Sequence, residues 1–139
     1  MKRSLATLQR LRKIREDRAA SKLRAAKAEL ERQQQTLESL RDAQDLAARA
    51  KLATAANAQE ISRHILQLEA KARRQSESVE RAERACSARR SILQLRSREL
   101  SSLEKVQEAM AEAEAEETRR KEAKELSELA IQTWLKEAA

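Results

Sequence analysis

The chain contains neither glycine nor proline in its 139 residues, and its only asparagine is Asn57. Tight turns depend on these residue types, because Gly and Asn tolerate positive φ angles and Pro fixes φ. The chain therefore has almost no position at which it can reverse direction sharply. Most of the sequence is Ala, Leu, Arg, Lys, Glu and Gln, which are strong helix formers. These features predict long helices and exclude a compact domain built from many elements.

Two blocks of residues recur at the seven-residue spacing of a coiled-coil seam. The first block consists of Leu23, Leu30 and Leu37, with Ala26, Gln33, Leu40 and Ala47 offset by three residues. The second block alternates steps of four and three through Ile61, Ile65, Leu68, Ala72, Gln75, Val79, Ala82, Cys86, Arg89, Leu93, Arg96, Leu100, Leu103, Gln107 and Met110. A sustained repeat of this kind predicts a left-handed supercoil. The repeat also places the single cysteine, Cys86, in the seam and predicts that its small side chain is buried.

The chain reversal is predicted at about residues 53–58. Asn57, followed three residues later by Glu60 and then by Ile61, has the pattern of a capping box at a helix start. We expect one coiled-coil rod over residues 1–139, with helix one at about 3–52 and helix two at about 59–137. The predicted fold is an all-α, antiparallel two-helix coiled-coil hairpin whose second helix is longer and ends without an internal partner. A reversal at residues 73–80 and an unbroken helix that dimerises are the alternatives.

Catalysis and metal binding are not expected. A phosphate-binding loop needs glycines, and one His with one Cys provides neither a metal-ligand set nor a nucleophile with its base. We therefore expect no enzyme and no cofactor. No apolar run is long enough for a transmembrane segment, so a cytosolic protein is expected. The net charge of +7 favours anionic partners, but interleaved acidic residues and the lack of aromatic platforms argue against nucleic acid.

The first apolar residues, Leu5, Leu8, Leu11 and Ile14, follow one another at steps of three. A step of three falls about 60° behind a full helical turn, so this line moves about 180° around the helix. One partner helix cannot cover that arc, whereas an enclosing surface or two partners can. The cations among these residues would then face acidic or carbonyl-rich walls. The alternative is a frayed amphipathic turn with solvated cations.

The segment LATLQRLRKIREDRAASKLRAAKAELERQQQTLESL, residues 5–40, resembles the start of the FliJ/YscO family. Members of this family are central stalk proteins of flagellar and virulence type III secretion. The matching pattern of spaced leucines followed by Arg, Glu-Asp and Ala consists of Leu8, Leu11, Arg12, Glu16, Asp17, Ala19 and Leu23. The later segments EISRHILQLEAKARRQ and AEAEAEETRRKEAKELSEL are similar in kind to the second helix of the family. The scarcity of aromatic residues and the short length slightly favour the virulence injectisome over the flagellar system.

The resemblance implies an antiparallel two-helix rod similar to the γ subunit of rotary F-type ATPases. The end with both termini would enter the pore of a hexameric secretion ATPase, and the other end would approach the export gate, a membrane protein with a cytoplasmic ring. The stalk would promote ATPase assembly and activity and couple it to export. The implied location is the bacterial cytoplasm at the base of the apparatus. The resemblance also implies export chaperones as partners, a monomeric rod, and secretion of some members.

The resemblance implies two sets of contact residues. The set for the ATPase ring is Leu5, Leu8, Leu11, Arg10, Arg12, Lys13, Arg15, Arg119, Arg120 and Lys121. The set for the export gate is His64, Leu68, Lys71 and Gln75. Trp134 is either an anchor on the ATPase or packs locally on Ala130 and Leu126. A generic coiled-coil scaffold and a basic binder of nucleic acid or membrane surfaces are the alternative functions.

Overall fold

The computed structural model describes residues 2–53 and 57–138, which form two helices. The first, α1, spans Lys2–Ala53 and contains 52 residues, and the second, α2, spans Ala58–Ala138 and contains 81 residues. The predicted all-α hairpin with a longer second helix is confirmed. Positions 54–56 of the predicted tip lie outside the described residues. The alternative reversal at residues 73–80 is wrong, because that segment lies within α2.

Asn57 immediately precedes α2 and has a φ angle of 74°. Its carbonyl oxygen accepts a hydrogen bond from the backbone N–H of Ile61 at 3.1 Å. The start of α2 therefore agrees with the predicted helix start, but the left-handed backbone differs from the extended conformation of an ordinary N-cap. Asparagine tolerates this conformation better than most residues other than glycine. The chain has no glycine, and its single asparagine occupies the position before α2 where φ is positive.

The residues fall into two compact units, each formed by parts of both helices. The central unit spans Ile14–Ser97, and the terminal unit combines the residues up to Lys13 with those from Arg98 onward. Leu100 and Leu103 are buried in the terminal unit. The buried residues of the central unit are Ala19, Leu23, Leu37, Ala47, Leu68, Val79 and Cys86. Every predicted seam residue of both blocks is buried or half-buried, which confirms the heptad assignment.

Glutamine pairs occupy seam positions in both units. In the central unit, Gln75 Nε2 donates to Gln33 Oε1 at 2.7 Å and to the Gln33 carbonyl oxygen at 2.8 Å. Gln33 Nε2 in turn donates to a carboxylate oxygen of Glu29 at 2.7 Å. In the terminal unit, Gln107 Nε2 donates to Gln9 Oε1 at 3.1 Å. Such pairs specify the register of the two helices, since a shift along the seam would leave the amides without partners.

The pKa of Glu29 lies below its ordinary value of 4.5, because the carboxylate accepts hydrogen bonds first from Gln33 and then from Arg32. A lowered carboxyl pKa stabilises the folded state at pH values above the ordinary pKa. This contribution is lost as the pH falls from 4.5 through the lowered value. The Glu29 side chain is therefore an ionised carboxylate at neutral pH, the form that accepts these hydrogen bonds.

Replacing both Gln33 and Gln75 with leucine is expected to raise the free energy of unfolding by about 1 kcal/mol, because apolar groups pack in a seam without polar desolvation. The single variant Gln75→Leu is expected to lower it by about 1 kcal/mol, since the side-chain and backbone carbonyl oxygens of Gln33 lose the hydrogen bonds donated by Gln75. Thermal unfolding followed by far-UV circular dichroism checks both values. A double variant less stable than the single variant would contradict the proposed role of the pair.

Candidate functional site

The leucines at the start of α1 turn away from the hairpin seam as their spacing predicts. Leu5 and Leu8 are half-buried in the terminal unit, whereas Leu11 is 43% exposed. Ile14, the first residue of the central unit, is 48% exposed. Within the terminal unit, the three leucines therefore begin half-buried at Leu5 and end exposed at Leu11, where α1 is open to another protein.

The predicted cations of α1 differ in their burial. Arg10 and Lys13 are exposed in the terminal unit. Arg12 is half-buried, and its guanidinium donates to the backbone carbonyl oxygen of Glu99 at 2.6 Å. Arg12 therefore helps to join α1 to α2 within that unit. Arg15 belongs to the central unit and is exposed there.

The last part of α2, which we call the arm, comprises residues 111–138, and each of them is exposed. Arg120 pairs with Glu116 at 3.0 Å and Lys121 with Glu117 at 3.5 Å, both at the i,i+4 spacing. Arg119 donates from Nε to the carbonyl oxygen of Ala115 at 3.4 Å. Exposed pairs of this kind contribute about 0–1 kcal/mol each. The three predicted cations thus remain accessible to a partner.

The arm also carries an apolar patch whose extent the sequence analysis missed. Five large apolar side chains there are between 55% and 67% exposed: Leu126, Leu129, Ile131, Trp134 and Leu135. Leu126, Ala130 and Trp134 follow at steps of four and lie on one face of the helix. The sequence analysis placed Trp134 beside Ala130 and Leu126 but did not include Leu129, Ile131 and Leu135. An exposed cluster of this kind is typical of a protein-interaction site.

A shallow groove lies where α1 begins. It has a volume of about 220 Å³ and is lined by Leu5 of α1 together with residues of α2. The α2 residues are Gln107, Met110, Ala111 and Glu114. Arg119 lies five residues after Glu114, which is about 8 Å farther along the helix. Leu5, Leu8 and Leu11 belong to the same unit as Arg119, Arg120 and Lys121. The cations lie farther along α2 than the groove, so the two sets do not form one contiguous patch.

The predicted export-gate residues all lie in the central unit, but only two of the four are exposed. His64 and Lys71 are open to solvent, one on each side of Leu68 in the sequence. Leu68 is only 5% exposed and belongs to the hairpin core. Gln75 binds Gln33 across the seam. An external partner could therefore contact His64 and Lys71 directly, whereas the other two side chains are engaged within the hairpin.

Two further surfaces of the central unit were missed. Leu46 and Leu52, near the end of α1, and Leu66, near the start of α2, are between 63% and 90% exposed. A groove in the same unit is lined by Arg15, Arg18, Ala19, Lys22, Arg89, Ile92 and Arg96. The groove could not be found from spacing along one helix, because it combines residues that are far apart in the sequence.

Neither helix within residues 2–53 and 57–138 has an apolar stretch of the length and hydropathy that a membrane crossing requires. The same described residues contain no group of three or more His, Cys, Asp or Glu side chains placed to hold a metal ion.

The sequence matches the family described as flagellar FliJ protein over residues 1–139. The chain belongs to the FliJ family. No curated protein and no solved structure matches it significantly. The FliJ assignment confirms the resemblance inferred from residues 5–40. Its flagellar description does not support the slight preference for an injectisome.

FliJ-family proteins are non-catalytic stalk proteins and cytoplasmic components of the flagellar export apparatus. Membership therefore associates this chain with type III export, and the two-helix hairpin agrees with a coiled-coil component of that apparatus. The exposed surfaces of the terminal and central units are the places where a FliJ-type chain of this structure can contact other proteins.

Proposed function

We propose that this chain is the central stalk of a type III secretion ATPase, and membership of the FliJ family over residues 1–139 is the observation that carries the proposal. In this role the end with both termini enters the pore of the hexamer and promotes its assembly and activity. The opposite end approaches the cytoplasmic ring of the export gate at the base of the apparatus. The stalk then couples hydrolysis to export.

The terminal unit has the surface chemistry that a pore-inserted segment needs. Leu11 and the arm patch provide exposed apolar area on different helices. Arg10, Lys13 and Arg119 are exposed cations able to bond to acidic side chains or to helix C-terminal carbonyl groups of a ring. Inside a six-fold ring, an asymmetric stalk contacts several subunits at once. Apolar residues on several faces of the stalk can then each pack against a different subunit.

The remaining predicted contacts have different proposed roles. Arg12 positions α1 against α2 through its bond to the Glu99 carbonyl. We assign direct contact with the export gate to His64 and Lys71, because both are exposed. Leu68 supports this surface from the hairpin core. Export chaperones are further proposed partners, and secretion of the chain itself is its proposed alternative fate.

The purified chain is expected to stimulate hydrolysis by the secretion ATPase of its own export apparatus and to increase the hexameric fraction. Hydrolysis rates and sedimentation of the ATPase with and without the chain measure both effects. Trp134 is the only tryptophan and is 65% exposed, so its fluorescence should shift to shorter wavelength if the arm enters the ring. Unchanged hydrolysis together with an unchanged hexameric fraction would contradict the stalk function.

Sedimentation of the isolated chain separates the stalk from a generic dimerisation module. The hairpin satisfies its own seam, because the predicted seam residues are buried or half-buried without a second copy. A monomer is therefore expected at micromolar concentration. A stable dimer that does not change ATPase activity would favour a scaffold function.

A further inference from the structure

A strongly basic groove lies between α1 and α2 within the central unit. Its volume is about 230 Å³. Ala19, which is 5% exposed, and Ile92, which is 39% exposed, supply its apolar surface. Five cations line it: Arg15, Arg18 and Lys22 from α1, and Arg89 and Arg96 from α2.

Four of the five cations of this groove form no ion pair with a carboxylate in the described part of the hairpin. Within residues 2–53 and 57–138, no ion pair to a carboxylate involves Arg15, Arg18, Lys22 or Arg89. Like charges held close together produce a positive potential and repel one another. An anionic partner would relieve this repulsion, and two walls of cations would hold it more strongly than a single exposed charge.

The spacing of the groove residues matches a third helix. Arg15, Arg18 and Lys22 follow at steps of three and four along α1. Arg89, Ile92 and Arg96 follow at the same steps along α2. A helix lying between these two rows could place a narrow apolar stripe on Ile92 and Ala19. Glu or Asp side chains on both flanks of the stripe would then meet the cations, as in a coiled coil with charged flanks.

We infer that this groove binds an acidic amphipathic helix of a partner protein. Nucleic acid is disfavoured, because the only aromatic residue of the chain is Trp134, which does not line the groove and cannot stack bases there. A membrane surface is disfavoured, because a flat bilayer would contact the cations but not the apolar floor between the helices. The inference goes beyond the stalk function, since Arg18, Lys22 and Arg89 are not among the proposed ATPase contacts.

The test uses the full chain and two synthetic 21-residue peptides of identical Glu, Leu and Ala composition. In one peptide the leucines form a seven-residue stripe flanked by Glu, and in the other the order is permuted so that no stripe exists. We expect the striped peptide to bind at least fivefold more tightly by fluorescence anisotropy. Equal affinity for the two peptides, or no binding of either at low salt, would overturn the inference.

The triple variant Arg18→Glu, Lys22→Glu and Arg89→Glu is expected to weaken binding of the striped peptide by at least tenfold. The matched variant Arg24→Glu, Lys27→Glu and Arg90→Glu makes the same charge change at exposed positions outside the groove and should weaken it less than threefold. Because Arg89 is half-buried, Arg18→Gln, Lys22→Gln and Arg89→Gln provide a milder version whose folding is checked by circular dichroism. Equal losses in groove and control variants would overturn the inference.

Two more probes identify a wrong class of partner. The probes are a 20-nucleotide single strand and phosphatidylserine vesicles. If either binds more tightly than the striped peptide and loses binding in the groove variant, the groove is assigned to nucleic acid or to membranes. That result would overturn the inference of an acidic helix as the partner. ATPase stimulation is measured on the same variants. The groove variant should retain stimulation, so loss of peptide binding and loss of the stalk function are recorded independently.

Discussion

The triple variant Leu5→Ala, Leu8→Ala and Leu11→Ala is expected to abolish stimulation of the secretion ATPase while the chain remains helical. Full burial of a leucine contributes about 1.5–3 kcal/mol. Because Leu5 and Leu8 are already half-buried in the terminal unit, less apolar area remains for a partner to cover. We therefore assign to each of the three leucines a contribution of about 1 kcal/mol to the binding free energy. A loss of about 3 kcal/mol reduces affinity by about 100-fold. Stimulation measured over a range of chain concentrations reports this change.

The matched control replaces three exposed leucines of the central unit, Leu46, Leu66 and Leu95, with alanine. It removes the same number of carbon atoms but should leave stimulation unchanged. A control that loses stimulation equally would indicate a general loss of solubility or structure. If the first variant stimulates like the unmodified chain, the proposed leucine contact is wrong.

A single variant separates contact with the ATPase from packing inside the hairpin. Leu11 is 43% exposed, so Leu11→Ala removes apolar surface mainly from the outside of α1. It should weaken stimulation by about fivefold, in line with about 1 kcal/mol, with little change in the melting temperature. Leu5→Ala and Leu8→Ala should lower both the stimulation and the melting temperature, because these side chains are half-buried.

The fold of this chain could be predicted largely because helical periodicity is a local property. The seam alternation from Ile61 to Met110 depends only on the geometry of α2, and every position in it is buried or half-buried. The absence of glycine restricted the reversal to the region of Asn57. Its positive φ was not predicted, because the capping-box pattern of Asn57 and Glu60 implies an extended residue instead.

The candidate surfaces were harder to predict, because they depend on which residues the two helices bring together. Arg18 and Arg89 are 71 positions apart in the sequence and line one groove. Arg12 was predicted to contact a partner, and the structure shows it half-buried, with its guanidinium donating to the Glu99 carbonyl oxygen. This bond between the helices could not be predicted from the charge of Arg12, because it depends on which part of α2 lies beside that position.

Leu68 received two assignments from the sequence, one in the hairpin seam and one in the export-gate contact. The structure places it 5% exposed in the core of the central unit. Leu66, only two residues earlier, is 63% exposed. Because successive helical residues point in different directions, these two leucines form a matched pair that separates core packing from surface contact.

Leu68→Ala is expected to lower the free energy of unfolding by about 2–3 kcal/mol, because a buried leucine leaves a cavity and loses its transfer free energy. For a unit of this size that corresponds to a decrease in melting temperature of roughly 10–20 °C. Leu66→Ala should change the free energy by less than about 0.5 kcal/mol, as surface substitutions usually do. Thermal and urea unfolding followed by circular dichroism measure both variants.

The same pair tests how the proposed export-gate surface depends on the hairpin. If Leu68 acts only through packing, Leu68→Ala should weaken gate binding at temperatures where the unit is partly unfolded and recover it on cooling. His64→Ala and Lys71→Ala should weaken binding at all temperatures without lowering the melting temperature, because both side chains are exposed. A Leu68→Ala variant that melts like the unmodified chain but no longer binds the gate would contradict its place in the core and assign it to the contact.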